Sequence, residues 1–305
     1  MKRIVFFNFY HNGDIHVSRG FVRRIMEKVK QLDPTIQFFY SHKNSPELLK
    51  DIPGLQFDPH GIYQVGNDHA NLYSVGDTVY INTWYAQQHF RYMNRFGITI
   101  DSLYAALSDT CQQLWGFSLS DISTDPKVFF PIIDYSAFPI QATQDWLYLH
   151  PEKKIFVENA HANSDQSVNF DLTSAILELA PKHHDKIFIL SNQFSIVPLP
   201  INVCYSKDII QSAGRQNDLN ENSFLSTHCD VIVGRASGPF TFSLTQENLF
   251  TRHPKFICFT NLVPSPPNKF WVNELLRDKI NYSAEFIVEN VSNADRAKYL
   301  IDTNI

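Results

Sequence analysis

An α/β protein built as two similar domains is what this sequence predicts, on three observations. Short apolar runs rich in β-branched and aromatic residues alternate with segments of helical periodicity, the pattern of parallel sheets covered on both faces. The alternation restarts after an irregular stretch at 120–150, where Pro126, Pro131 and Pro139 break up aromatic residues. The chain has 305 residues, 44% hydrophobic and 19% charged, enough for two cores of about 100–150 residues each. Together these give two Rossmann-like domains, 1–150 and 151–275, facing each other across a cleft.

The first unit is a strand at Ile4–Phe7, a polar loop at Asn8–His16 and an amphipathic helix from Ser18 to Leu32. Phe21, Val22, Ile25, Met26 and Val29 form its apolar stripe, Arg19, Arg23, Arg24, Lys28 and Lys30 cover the rest, and Ser18 is the expected N-cap. A strand at Ile36–Tyr40 completes a βαβ unit. A strand at Thr78–Asn82, a helix at Gln87–Asn94 and a helix ending at Gly116, with Leu103, Leu107 and Leu114 inward, follow. The second half opens with strand Ile155–Glu158, loop Asn159–Asn169 and a helix carrying Leu172, Ala175, Ile176 and Leu179. Strands Ile187–Ser191 and Asn202–Tyr205, a helix at Leu219–Thr227, strand Asp230–Val233, a helix at Pro239–Asn248 and strand Phe256–Thr260 continue the series. A helix is expected at Asn293–Ile301.

Charge and composition narrow the partners. With 26 Lys+Arg against 31 Asp+Glu the formal balance is −5, which argues against nucleic acid held through its phosphates. The apolar N-terminus turns polar at once and reads as a buried strand rather than a signal peptide. The uncharged stretch Ile187–Ser206 has the length of a membrane span, but Pro198 and Pro200 make it two strands joined by a loop. No transmembrane segment is expected, while peripheral membrane contact stays open. Cys111, Cys204, Cys229 and Cys258 lack Cys-x-x-Cys spacing and read as buried free thiols, consistent with a cytoplasmic location.

Ligands of open parallel sheets bind beyond the carboxyl ends of the strands, so four loops carry the candidates: Asn8–His16, Asn159–Ser167, Lys207–Arg215 and Gly234–Pro239. In the first, His11, Gly13, Asp14 and His16 follow a strand directly. A carboxylate there can take a proton from a hydroxyl, or it can cap the helix. In the last, Gly234-Arg235-Ala236-Ser237-Gly238-Pro239 joins a strand to a helix. Small residues let the backbone approach an anion, Ser237 can donate and Arg235 suits a phosphate; the alternative is a glycine-rich turn with a helix cap. His161, Asn163 and Ser164 are further polar candidates, as is Arg215, while Trp84 and Tyr85 are of the kind that stacks on sugar rings or fills a core.

Gly13-Asp14 in the first βα loop and Gly234–Pro239 in the second half together resemble the GT-B glycosyltransferases, most nearly the heptosyltransferase-like branch that modifies bacterial surface polysaccharides. The resemblance spans the two-domain layout of nearly the whole chain. It implies an acceptor domain at 1–150, a donor domain at 151–275 and a segment 276–305 that packs back on the first domain. It also implies a nucleotide-sugar co-substrate and a glycan or other hydroxyl acceptor, with polysaccharide biosynthesis as the setting. Asp14 is then the general base of an inverting transfer, with His11 or His16 as substitutes. Gly234, Arg235, Ala236, Ser237, Gly238, Arg215, His161, Asn163 and Ser164 would bind the donor, and Gly13, Trp84 and Tyr85 the acceptor. The chain departs from the branch at Arg235-Ala236-Ser237, where an acidic residue with Ser or Thr is common, and in having no His after the Gly-Pro.

No Asp-x-Asp is present to hold a divalent ion on a diphosphate, and His183-His184-Asp185 would point its side chains apart on a helix end. The expectation is therefore a metal-independent enzyme without a cofactor, its leaving diphosphate stabilised by backbone dipoles and Arg. Two other readings keep the fold: a nucleotide-sugar epimerase or hydrolase, and a non-catalytic module that binds a nucleotide or glycan.

Overall fold

The computed structural model describes residues 1–42, 45–58, 72–83, 100–122, 130–161, 167–192, 197–211, 217–260 and 284–305. The chain divides into two units, Met1–Asp134 and Tyr135–Ile305. The first contains strands β1 (Arg3–Phe7), β2 (Gln37–Ser41), β3 (Leu55–Phe57), β4 (Leu72–Val75) and β5 (Thr78–Asn82). Its sheet runs in the order β3-β2-β1-β5-β4. β1 is parallel to both neighbours, with Ile4 between Phe38 and Val79. A strand flanked on both sides and covered on both faces must be apolar throughout, and Ile4, Val5, Phe6 and Phe7 are all buried. β4, which periodicity missed, is the one antiparallel member, returning through a turn at Gly76 with φ +56°.

Helices α1 (Asn12–Val17), α2 (Arg19–Leu32) and α3 (Ile100–Trp115) belong to this unit. The predicted stripe of α2 is buried in full. Two expectations change. The segment read as a loop up to His16 is helical from Asn12, and Ser18 joins α1 to α2 in right-handed backbone, its Oγ donating to the Ile15 carbonyl at 2.7 Å instead of capping α2. Arg19, placed by periodicity on the polar face, is fully buried.

The second unit holds a fully parallel sheet of β6 (Lys153–Glu158), β7 (Lys186–Leu190), β8 (Val203–Tyr205), β9 (Val231–Arg235), β10 (Lys255–Thr260) and β11 (Phe286–Asn290), ordered β11-β10-β9-β6-β7-β8. Helices α4 (Gln141–Leu149), α5 (Thr173–Leu179), α6 (Ser206–Ile210), α7 (Leu219–Ser226), α8 (Gly238–Thr241) and α9 (Ala294–Asp302) accompany it. The expected helix at Pro239–Asn248 is only the four-residue α8, followed later by a π-turn at Asn248–Arg252. The uncharged stretch does resolve into β7 and β8, and among the described residues no helix is long and apolar enough to cross a membrane.

The chain divides after Asp134, inside the irregular stretch 120–150, so α4 goes with the second unit. Within the second unit β11 pairs with β10, and Ala297, Leu300 and Ile301 of α9 share one core with Ile176 and Leu179 of α5. Burial of each large aliphatic side chain there stabilises by about 1.5–3 kcal/mol. A Lys298–Glu178 ion pair at 2.6 Å and a His183–Asp302 contact at 2.9 Å line the rim of that helix pair. The four cysteines are free thiols, and burial pushes Cys111 and Cys204 up to about 12, away from thiolate chemistry.

Candidate functional site

Each sheet has one point where the strand order reverses, and the crevice beyond the strand ends at that point is where an open α/β sheet receives a ligand. In the first unit it lies between β1 and β5, because the chain leaves β1 toward β2 on one side and later adds β5 on the other. In the second it lies between β6 and β9 by the same logic. The Asn8–His16 segment therefore leaves the first switch point. Glu158–His161 and Gly234–Gly238 both leave the second.

At the first switch point a buried polar hub ties the strand ends together. Asn8 Nδ2 donates to the Tyr40 hydroxyl at 2.9 Å and to Thr83 Oγ1 at 3.3 Å, and Tyr40 and Thr83 lie 2.9 Å apart. Ser18 Oγ reaches the same Tyr40 hydroxyl at 3.3 Å, linking the α1–α2 junction to the sheet. Burial pushes the Tyr40 phenol up to about 12, so it stays protonated and can donate within the hub. At the N-cap of α1 stands His11, whose backbone N–H donates to Asp14 Oδ2 at 3.1 Å. Asp14 is half-buried and His11 exposed. Asp14 thus caps its helix, as a carboxylate three residues into a helix can.

His16 is different. It is fully buried, and its Nδ1 accepts from Arg19 Nε at 3.2 Å, so it is a packing partner of Arg19 and no substitute base at a surface. Arg19 also pairs with Asp51 and donates to the Leu48 carbonyl at 2.7 Å, while Arg23 takes the other Asp51 oxygen at 2.7 Å. Gly13 is buried within α1.

At the second switch point the sequence places polar groups where β6 ends. Glu158 stands opposite Gly234 of β9 and is 2% exposed. Its Oε1 accepts from Ser191 Oγ at 2.7 Å and from the Ala160 N–H at 2.8 Å. Burial raises its pKa, against the pull of those two donors and of Arg235. Asn159 fastens the following loop: its Nδ2 donates to Asp171 Oδ1 at 2.9 Å and to Thr173 at 3.2 Å, and its Oδ1 accepts from the Leu172 N–H at 2.9 Å. Burial would raise the Asp171 carboxyl, but hydrogen bonds from Asn159 and Thr173 hold it below the usual range. The sequence placed Glu158 and Asn159 in a candidate loop without giving either a role, and singled out neither Asp171 nor Ser191; the one local signal was a carboxylate ending an otherwise apolar strand.

The glycine-rich stretch needs the largest correction. Arg235 is fully buried, and its guanidinium donates to the carbonyls of Phe170, Asn159 and, at 2.6 Å, Ala160, with the Phe170 ring 5.7 Å away. It is spent inside the protein and does not reach toward a phosphate. Gly234 is small for packing: a Cβ there would lie 2.6 Å from Phe240 and 2.9 Å from Glu158 Cβ. The Ala236 N–H is bonded to the Phe259 carbonyl at 2.7 Å. Ser237 caps α8 by accepting from the Phe240 N–H at 3.3 Å. Half-buried Gly238 and Ala160 and exposed His161 form the outer part of these segments. Asn163, Ser164, Arg215, Trp84 and Tyr85, like the helix expected at Gln87–Asn94, lie outside the described residues.

No protein-family model and no curated protein matches the chain. Among solved structures it is similar to the glycosyl transferase family 9 protein from Veillonella parvula DSM 2008, at 13% identity and TM-score 0.48, covering 99% of this chain and 88% of that one. It is similar to the ADP-heptose lps heptosyltransferase II of E. coli at 10% identity and TM-score 0.49, covering 100% and 98%. The E. coli heptosyltransferase WaaC with ADP matches at 11% identity and TM-score 0.45, covering 99% and 97%.

Proposed function

We propose that this chain is a glycosyltransferase that moves a sugar from a nucleotide-sugar to a hydroxyl acceptor. The observation that carries the reading is that both loops singled out by the sequence resemblance leave their sheets at the switch point, one in each unit. Asp14 serves as the general base at the first. It accepts the proton of the acceptor hydroxyl as that oxygen bonds to the anomeric carbon, while the bond from that carbon to the diphosphate oxygen breaks, with inversion. The diphosphate is received at the second, by Ala160–His161 and by Ser237–Gly238, with Arg215 as the cation in place of the buried Arg235. Trp84 and Tyr85 offer faces to the acceptor sugar. The transfer requires no metal, since backbone dipoles and hydrogen-bond donors suffice to stabilise the departing charge.

Asp14→Asn separates the base from the cap. The amide oxygen still accepts the His11 N–H, so unfolding midpoints stay within a degree or two, whereas transfer falls by about 10²–10⁴-fold. Equal transfer by the variant and the parent, followed by mass spectrometry of glycosylated product, removes Asp14 from the role.

A further inference from the structure

Arg235 occupies an unusual position for the only arginine of a glycine-rich loop. Its guanidinium gathers carbonyls from both ends of the β6–α5 loop: Asn159 and Ala160 where it leaves the sheet, Phe170 where it returns to the helix. The side chain of Asn159 makes a second tie across the same neck, to Asp171, Leu172 and Thr173. Glu158 and Asp171 supply the opposite charge, so the cation is compensated where it is buried. Three carbonyls shared between the two terminal nitrogens of one side chain suit the rigid fork of a guanidinium, and a lysine ammonium cannot reproduce that geometry.

We infer that Arg235 is a positioning residue for the nucleotide-diphosphate site: by clasping the neck of the β6–α5 loop it fixes the Ala160–His161 rim, and it sets ligand affinity without touching the ligand. This rests on the proposed glycosyltransferase reading, because the rim matters only if a diphosphate is received there. A residue of purely architectural value would lower stability when changed and leave the affinity of the surviving folded protein as it was.

The test is calorimetric titration of the full chain with ADP, UDP, GDP and CDP, alongside unfolding of the ligand-free protein. For whichever diphosphate binds the parent, Arg235→Lys weakens binding by about tenfold or more at a temperature where the variant is fully folded. Asn159→Ser, which loosens the same neck from the other side, weakens it in the same direction and decides the matter if Arg235→Lys does not fold. Folded variants that bind as tightly as the parent overturn the inference while leaving the proposed function intact. A parent that binds none of the four overturns both.

Discussion

Gly234 and Arg235 show how one residue's surroundings decide its meaning. A glycine before an arginine in a βα loop reads as a ligand cradle, because both residues suit an anion. In the structure the glycine admits Phe240 and Glu158, and the arginine serves carbonyls 65 to 76 residues away in sequence. Gly234→Ala is therefore expected to destabilise the second unit by about 1–3 kcal/mol through overpacking, read from denaturant unfolding. An unchanged midpoint with impaired nucleotide binding would restore the cradle reading. Arg19 follows the same rule. Nothing local distinguishes it from Arg23 or Arg24 on the polar side of α2, and its burial depends on Asp51, 32 positions onward. The cap made by Asp14 was legible, since a carboxylate three residues past a helix start is a cap signature.

At the scale of elements, periodicity worked where one face or both faces are buried against a single neighbour. The α2 stripe, the central β1 run and the division of the uncharged stretch into β7 and β8 all follow from that. It failed at α1, whose Asn-Gly-Asp sequence carries turn-forming residues yet is helical under the His11–Asp14 cap, and at β4, whose half-exposed Leu72–Val75 has no apolar run to read. Helix α9 was expected at Asn293–Ile301, and Asn293 caps it, its side chain accepting from the Arg296 N–H at 3.0 Å. Its partners Ile176 and Leu179 lie more than a hundred residues earlier. Deleting 291–305 is expected to strip amide-exchange protection from α5 and β10 and to cost the second unit about 5 kcal/mol for the buried Leu300, Ile301 and Ala297. Lost protection in β1 and β5 instead would contradict that placement.

For the whole molecule, the sequence read two α/β halves joined by the proline-bearing stretch 120–150, and the chain divides at 134, inside that stretch. The net charge of −5 also takes on a different sense. The buried cations are neutralised internally, Arg19 by Asp51 and Arg235 by Glu158 and Asp171, so neither contributes to an outward basic field. Under the proposed function a diphosphate is recognised by a few placed groups at the strand ends, with no extended basic surface of the kind a nucleic-acid backbone needs. The most direct test is thermal unfolding of the full chain with a panel of nucleoside diphosphates and their sugars. A ligand at about a hundred times its dissociation constant adds about 2.7 kcal/mol, which for a unit of this size raises the midpoint by about 5–10 °C. The account predicts such a shift with at least one nucleotide-sugar and with its parent diphosphate; no shift with any member of the panel would contradict it.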